Sequence, residues 1–247
     1  AGSTATTLAQ GAPAKPIGQF LSVRSPIDDS VIGRVRKVAQ DLAVRSEKES
    51  RPAVLVLELA PGDSPIHQVQ GLASLLSSAR LSRVRTVAWI PKSVTGLNAV
   101  VALSCNEIVM HPDANLGDIS HGEPLDDASR QFVQTLVEKR RNAKVNWPLA
   151  RGMLDRNAEV VRATITGENK QVKSRVVGPD ELQLIRKSNP GADIEVARIK
   201  ASDDLGIFSG EQARQLDILV TQTAEARSDV AAIYGLPARA MKEEKSS

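Results

Sequence analysis

Residues 53–59 read Ala-Val-Leu-Val-Leu-Glu-Leu, a run with one polar side chain in seven. A strand that alternates apolar and polar residues keeps one face in water. A strand apolar throughout needs both faces covered, as in a parallel sheet sandwiched between helices. Residues 84–90, Val-Arg-Thr-Val-Ala-Trp-Ile, make a similar demand, and Glu107–Met110 reads as a shorter strand of the same kind. The segments between carry a different period. Val31, Ile32, Val35, Val38, Ala39 and Leu42 recur with helical spacing, as do Ile66, Val69, Leu72, Leu75 and Leu76. Strands alternating with helices over short connections predict a right-handed, mostly parallel α/β arrangement, opened by a strand at Ile17–Val23.

Further expectations follow along the chain. A third helix is predicted over Leu97–Cys105 and a long one over Asp127–Lys144, with Phe132, Val133, Leu136 and Val137 facing inward. Val160–Thr166 and Gln171–Val177 flank Gly167-Glu168-Asn169 and read as a hairpin. Asp180–Arg186 is expected as a helix and Ile194–Ile199 as a strand. Ser209-Gly210-Glu211-Gln212 is a capping-box pattern opening a helix to about Gln215. A last helix is expected over Ala224–Tyr234. The sequence predicts one domain over residues 16–240, with 151–205 as a hairpin-containing insertion. Residues 1–15, rich in Ala, Thr, Gly and Pro, are expected to be disordered, in keeping with the start of an exported chain. Residues 241–247 read as a polar tail.

Composition narrows the function. Aromatic residues make up only 2% of the 247, so the core is aliphatic and there is little on which to stack bases; with a net charge of +3, no nucleic-acid partner is expected. No apolar run reaches the roughly 18–20 residues of a membrane span. The single cysteine, Cys105, excludes an internal disulfide and sits in an apolar stretch, where a buried side chain is expected. His67, His111, His121 and Cys105 do not form a ligand set of known spacing, and no glycine-rich phosphate loop is present, so neither metal nor cofactor is expected. Asp28/Asp29 and Asp126/Asp127 fit helix N-termini.

The segment that raises a functional question is Thr86-Val87-Ala88-Trp89-Ile90-Pro91-Lys92-Ser93-Val94-Thr95-Gly96-Leu97-Asn98-Ala99-Val100-Val101-Ala102-Leu103. It is a strand, a turn and a small-residue helix. Acyl transfer needs a nucleophile, a base, and backbone N–H groups aimed at the oxyanion, and such a turn can present them.

Several segments together resemble the ClpP/crotonase-like superfamily, most of all the NfeD-type membrane serine peptidases of the ClpP class. The family's strand ends in a Pro-Gly-Gly-type loop, here Ala60-Pro61-Gly62-Asp63. Its serine-bearing helix is followed by a run of the type iALa-x-x-EIvM-x-P-x-a-x-lG, here Val101-Ala102-Leu103-Ser104-Cys105-Asn106-Glu107-Ile108-Val109-Met110-His111-Pro112-Asp113-Ala114-Asn115-Leu116-Gly117. Ser25-Pro26-Ile27-Asp28 is similar to the opening G-x-I-d, and Ser209–Gly235 to the family's ending. The resemblance spans about residues 17–237 and implies an α/β fold of repeated strand-strand-helix units, with a C-terminal hairpin and helices. It also implies oxyanion donors at the amides of Asp63 and Leu97, beside Gly62.

The catalytic positions depart from the family. Counted back from Val101-Ala102-Leu103, the family's serine falls on Gly96 and a following glycine on Asn98. The membrane branch uses a lysine near the start of the helix matching Asp127–Lys144, yet there is no lysine between Lys92 and Lys139. ClpP itself uses a histidine about two dozen residues after its serine, and His121 lies 25 residues after Gly96.

Three readings stand. In the first, the chain is a catalytically degenerate ClpP-class homologue that binds a peptide or protein in its groove. In the second, Thr95 or Ser93 acts with His121 as an active peptidase. In the third, the fold serves an acyl-CoA enzyme. By resemblance, the relatives imply homo-oligomerisation, through the Asp127–Lys144 helix or the Val160–Val177 hairpin. They also imply a membrane-anchored partner or a membrane domain outside this sequence, and a place on the extracytoplasmic side of the cell envelope.

Overall fold

The computed structural model describes residues 14–139, 142–167 and 170–242. The expectations for residues 1–13, for the hairpin tip at Glu168-Asn169 and for most of the polar tail therefore lie outside the described residues. The chain begins with β1 (Ile17–Val23), α1 (Asp29–Glu49), β2 (Ala53–Leu59), α2 (Ile66–Leu76), β3 (Val84–Ile90), β4 (Val94–Thr95) and α3 (Asn98–Leu103). β5 (Glu107–Met110), β6 (Asn115–Gly117), α4 (Asp127–Glu138) and α5 (Trp147–Leu154) follow. The remainder is β7 (Val160–Thr166), β8 (Val172–Val177), α6 (Pro179–Ser188), β9 (Asp193–Lys200), β10 (Ile207–Ser209), α7 (Gly210–Gln215), β11 (Gln222–Thr223) and α8 (Arg227–Ile233).

The main sheet is five-stranded and parallel, in the order β1-β2-β3-β5-β11. β2 shows why its sequence is apolar throughout. Ala53, Leu55, Leu57 and Leu59 pack with Val35, Leu42, Val69 and Leu72 of α1 and α2, in the same core as α3. Val54 and Val56 face the other way, onto Val230 of α8 and onto Tyr234 and Leu236 just beyond it. Each buried leucine contributes on the order of 2 kcal/mol. α8 is fixed to the sheet by Arg227, whose Nε donates to Glu58 Oε2 at 2.6 Å and whose guanidinium lies 5.9 Å from the centre of the Phe20 ring. The helix starts follow their caps. Asp28 accepts from Val31 N (2.9 Å) and Asp126 from Ser129 N (2.7 Å), and these amide bonds hold both carboxyls below the usual carboxylate range.

The strand-strand-helix unit is present twice. β3–β4–α3 and β5–β6–α4 run side by side, because β4 pairs with β6 in parallel as β3 pairs with β5. β10 adds antiparallel to the far edge of β6. β8-β7-β9 form a separate antiparallel sheet, and α6 covers it with a small cluster of Val161, Ala163, Val177 and Ile185.

Three expectations are corrected. The helix predicted over Asp127–Lys144 stops at Glu138, and a second helix follows because Asn146 accepts from Leu149 N and a proline occupies its first turn. The helix predicted over Ala224–Tyr234 starts at Arg227, since Gln222–Thr223 pairs with β5 and Asp229 accepts from the amides of Glu225 and Ala226. The third helix is shorter, Asn98–Leu103. The capping box is present as expected, with Ser209 Oγ accepting from Gln212 N and Gln212 Oε1 from Ser209 N.

Candidate functional site

The loops after β1, β2, β4 and β6 meet outside the carboxyl ends of the parallel strands, where ligands bind in open α/β sheets. Pairing of β4 with β6 sets Thr95 opposite Gly117, and Gly96 N donates to Asp118 O at 3.0 Å. Two residues further on, the chain reverses: Asp118, His121 and Gly122 have φ of 42°, 51° and 79°. Asp118 N donates to Gly206 O, Ile119 N to Met153 O and His121 N to Asp118 O. These bonds turn His121 back over Gly96.

Gly96 has φ +69° and is buried. A Cβ built there would overlap His121 Nε2 and lie 2.8 Å from Asp63 Oδ1. The space of a side chain at this position is therefore filled by an imidazole and a carboxylate from two other loops. His121 Nε2 and Asp63 Oδ1 are 3.8 Å apart, with side chains 46% and 74% exposed. At that exposure the pair contributes at most a fraction of a kcal/mol to stability, and only while His121 is protonated. The carboxylate of Asp63 is directed at Gly96, close to where an oxyanion would form.

Asn98, at the start of α3, holds the loop opposite. Its Nδ2 donates to Gly62 O (2.6 Å) and to Ser25 Oγ (3.1 Å), and Ser25 Oγ donates to Asp63 O (3.0 Å). Gly62 has φ +127°, and a Cβ there would lie 2.6 Å from Ser25 Oγ, so this position is restricted to glycine. Ser64 Oγ accepts from Ile27 N at 2.8 Å and completes the tie between the loops after β1 and β2. Among the described residues, the amides of Asp63 and Leu97 make no hydrogen bond, whereas those of Gly96, Asp118, Ile119 and His121 are committed to the fold. Replacing Asn98 by Ala removes two hydrogen bonds and leaves Gly62 O without its partner. A loss of about 1–2 kcal/mol in urea denaturation is expected, moderated because Asn98 Oδ1 is already buried without a partner.

The sequence-predicted residues divide. The structure brings Gly96, Asp63, Gly62 and His121 together. Ser93 Oγ instead accepts from Asn115 N at 3.0 Å, and neither Ser93 nor Thr95 hydrogen-bonds His121. Cys105 is fully buried, and burial pushes its thiol up to about 12, so it offers no thiolate at neutral pH. His111 Nδ1 accepts from Asp113 N in a surface loop, and His67 is exposed on α2. No group of three or more His, Cys, Asp and Glu among the described residues is placed to hold a metal ion. Sequence reasoning missed the Ser25–Asn98 tie, because its partners are 73 residues apart and each alone is an ordinary turn residue.

No protein-family model matches the chain, and no curated protein matches it. Among solved structures, a serine-to-alanine mutant of the 1510-N membrane-bound stomatin-specific protease aligns over 92% of this chain and 91% of that one. The TM-score is 0.53 at 9% identity. That protease has the ClpP/NfeD-like serine-peptidase fold. This chain has the ClpP/crotonase-like fold. A lysine-to-alanine mutant of 1510-N in complex with a substrate peptide also aligns, at 11% identity over 89% and 80% of the chains, with a TM-score of 0.47. So does a probable enoyl-CoA hydratase/isomerase from Mycobacterium abscessus, at 13% identity over 90% and 70%, with a TM-score of 0.46. At such scores these two add no weight. The turn after β4 carries Gly96, the position at which the sequence resemblance leads one to expect a serine. Among the described residues no helix is long and apolar enough to cross a membrane.

Proposed function

We propose that this chain is a ClpP-class peptidase homologue that binds peptide without cleaving it. The supporting observation is the contact at Gly96: the side-chain space that a nucleophile would use holds His121 Nε2 and, 2.8 Å from the Cβ position, Asp63 Oδ1. An imidazole without a hydroxyl or thiol to deprotonate has no acyl-enzyme to form. What remains is a cleft with uncommitted amides at Asp63 and Leu97, suited to the main chain of an extended peptide, since strand addition needs backbone pairing and no reactive side chain. The family resemblance extends the proposal to a homo-oligomer acting with a membrane-anchored partner at the extracytoplasmic side of the cell envelope.

One observation favours a second reading. His121 Nε2 stands over Gly96, the residue after Thr95, which places a base near one of the hydroxyls this reading uses. The acyl-CoA reading rests on the fold alone, which is a poor warrant for function. The binding test is fluorescence anisotropy with labelled peptides, followed by mass spectrometry of the same peptides after overnight incubation. Saturable binding with every peptide intact is expected. Fragments that disappear in Thr95→Ala would support the second reading instead.

A further inference from the structure

Immediately beside the His121 loop, a cavity of about 340 Å³ opens between that loop, α4, α5 and the turn before β7. Ser120 and Gly122, which flank His121 in the chain, form part of its wall, so it adjoins the loop that carries His121. Its apolar lining comes from Leu125, Leu154 and the half-buried indole of Trp147. Its charged lining is three guanidinium groups, Arg130, Arg151 and Arg156, and two carboxylates, Asp155 and Asp203.

None of the three arginines makes an ion pair with a carboxylate among the described residues. Among the described residues, the Arg130 side chain donates only to Leu125 O at 3.4 Å and that of Arg156 only to Asp203 O at 3.3 Å, while the Arg151 guanidinium makes no hydrogen bond. Each guanidinium carries five donors, so most of the donor capacity around the cavity is unused. The two aspartates have another cation to answer. Lys200 is 3% exposed, with its ammonium on the carbonyls of Arg156, Ala158 and Ala201, and the charges of Asp155, Asp204 and Asp203 act on it. Neither acid is ion-paired with an arginine among the described residues, and the charge of the buried ammonium acts on both.

We infer that this cavity is a subsite for an acidic side chain of the peptide bound in the cleft, its carboxylate taken by Arg151 with Arg130 or Arg156 and its methylene stem lying on Trp147. The inference rests on the peptide-binding reading for its ligand and on the arginine geometry for its selectivity. Guanidinium–carboxylate pairs give both charge and bidentate geometry, and one such pair at a partly exposed site gives about a tenfold preference over the neutral isostere.

The test uses two probes. The first is a set of labelled heptapeptides of Ala and Ser, blocked at both ends, in which one Glu, Gln or Lys is walked through the five central positions. At one position Glu should bind about tenfold tighter than Gln, with Lys weakest. The preference should vanish in Arg130→Ala/Arg151→Ala, read against the affinity of the same protein for the all Ala and Ser peptide; both side chains are exposed, and an unchanged melting temperature would check the fold. The second probe is sodium glutarate, followed by tryptophan fluorescence with Trp147→Phe as control, against sodium phosphate at equal concentration. Trp89 is 4% exposed in the core and should not respond. Equal affinity for Glu and Gln at every position would overturn the subsite and leave peptide binding intact. Glutarate quenching that is lost in the arginine variant, with no peptide bound, would overturn the peptide reading and keep the carboxylate site. A response to phosphate as strong as to glutarate, or to neither, would overturn the assignment of a carboxylate.

Discussion

A protein carrying Gly117→Ala should lose a large share of its stability. Gly117 has φ +147°, and a Cβ there would overlap the carbonyl oxygen of Gly206 and lie 2.8 Å from Ile207 Cα. The obstruction is backbone, so no side chain can rotate away. Gly206 is as constrained: its Cβ would overlap Gly152 O and lie 2.5 Å from Met153 Cα. β6, the chain entering β10 and the end of α5 thus pass one another at distances only glycine permits. They are stitched by Asp118 N to Gly206 O and Ile119 N to Met153 O. A strained φ costs about 1–3 kcal/mol and overpacking a similar amount, so the loss should be roughly 3–5 kcal/mol. Against a typical total of about 5–15 kcal/mol, that leaves a marginal protein. Urea denaturation measures it. A loss under about 1 kcal/mol would mean that these three backbones are not in contact. The consequence for the site is direct, because the same stitching sets the loop that carries His121.

Lys200→Met should be the second most damaging change. Lys200 Nζ donates to Arg156 O at 2.6 Å, Ala158 O at 2.7 Å and Ala201 O at 3.0 Å. Methionine fills a similar volume but leaves three carbonyls without donors and Asp155, Asp203 and Asp204 without their nearby cation. Removing one member of a buried charged network costs on the order of 3–5 kcal/mol, much of it from the partners left behind. Burial also lowers the Lys200 ammonium from the ordinary lysine range. Between that lowered value and the unfolded one, the unfolded chain binds more protons, so this group's contribution to stability rises with pH across that alkaline window and is flat below it. Denaturation at neutral pH, with hydrogen exchange on β7 and β9, measures the change. Stability equal to wild type would show that water takes over the three carbonyls.

Sequence and structure agree where a local pattern has a physical cause. β2 and β3 were legible because a strand covered on both faces cannot afford polar alternation, and α1 because its buried Val31, Ile32, Val35, Ala39 and Leu42 lie on one stripe. β4, β6, β10 and β11 were not, since strands of two or three residues have no period to read. Asn146-Trp147-Pro148, a cap followed by a first-turn proline, marks the start of α5, a helix the sequence reading does not include because its expected helix ends at Lys144. At the site, the glycine at position 96 could be read directly. That His121 stands over it could not, because this depends on the pairing of β4 with β6 and on three positive φ values in a five-residue turn. The 25-residue spacing alone left His121 indistinguishable from a solvated loop histidine. The arginine cavity assembles α4, α5 and two loops, and no short motif announces it.

The most direct test of the central claim, a ClpP/crotonase-like scaffold without a nucleophile, is intact-mass analysis after exposure to a fluorophosphonate. The wild-type chain should show no adduct at any pH between 6 and 9, and pre-incubation with a bound peptide should change nothing. A single stoichiometric adduct mapping to Thr95 or Ser93, abolished in His121→Ala, would contradict it.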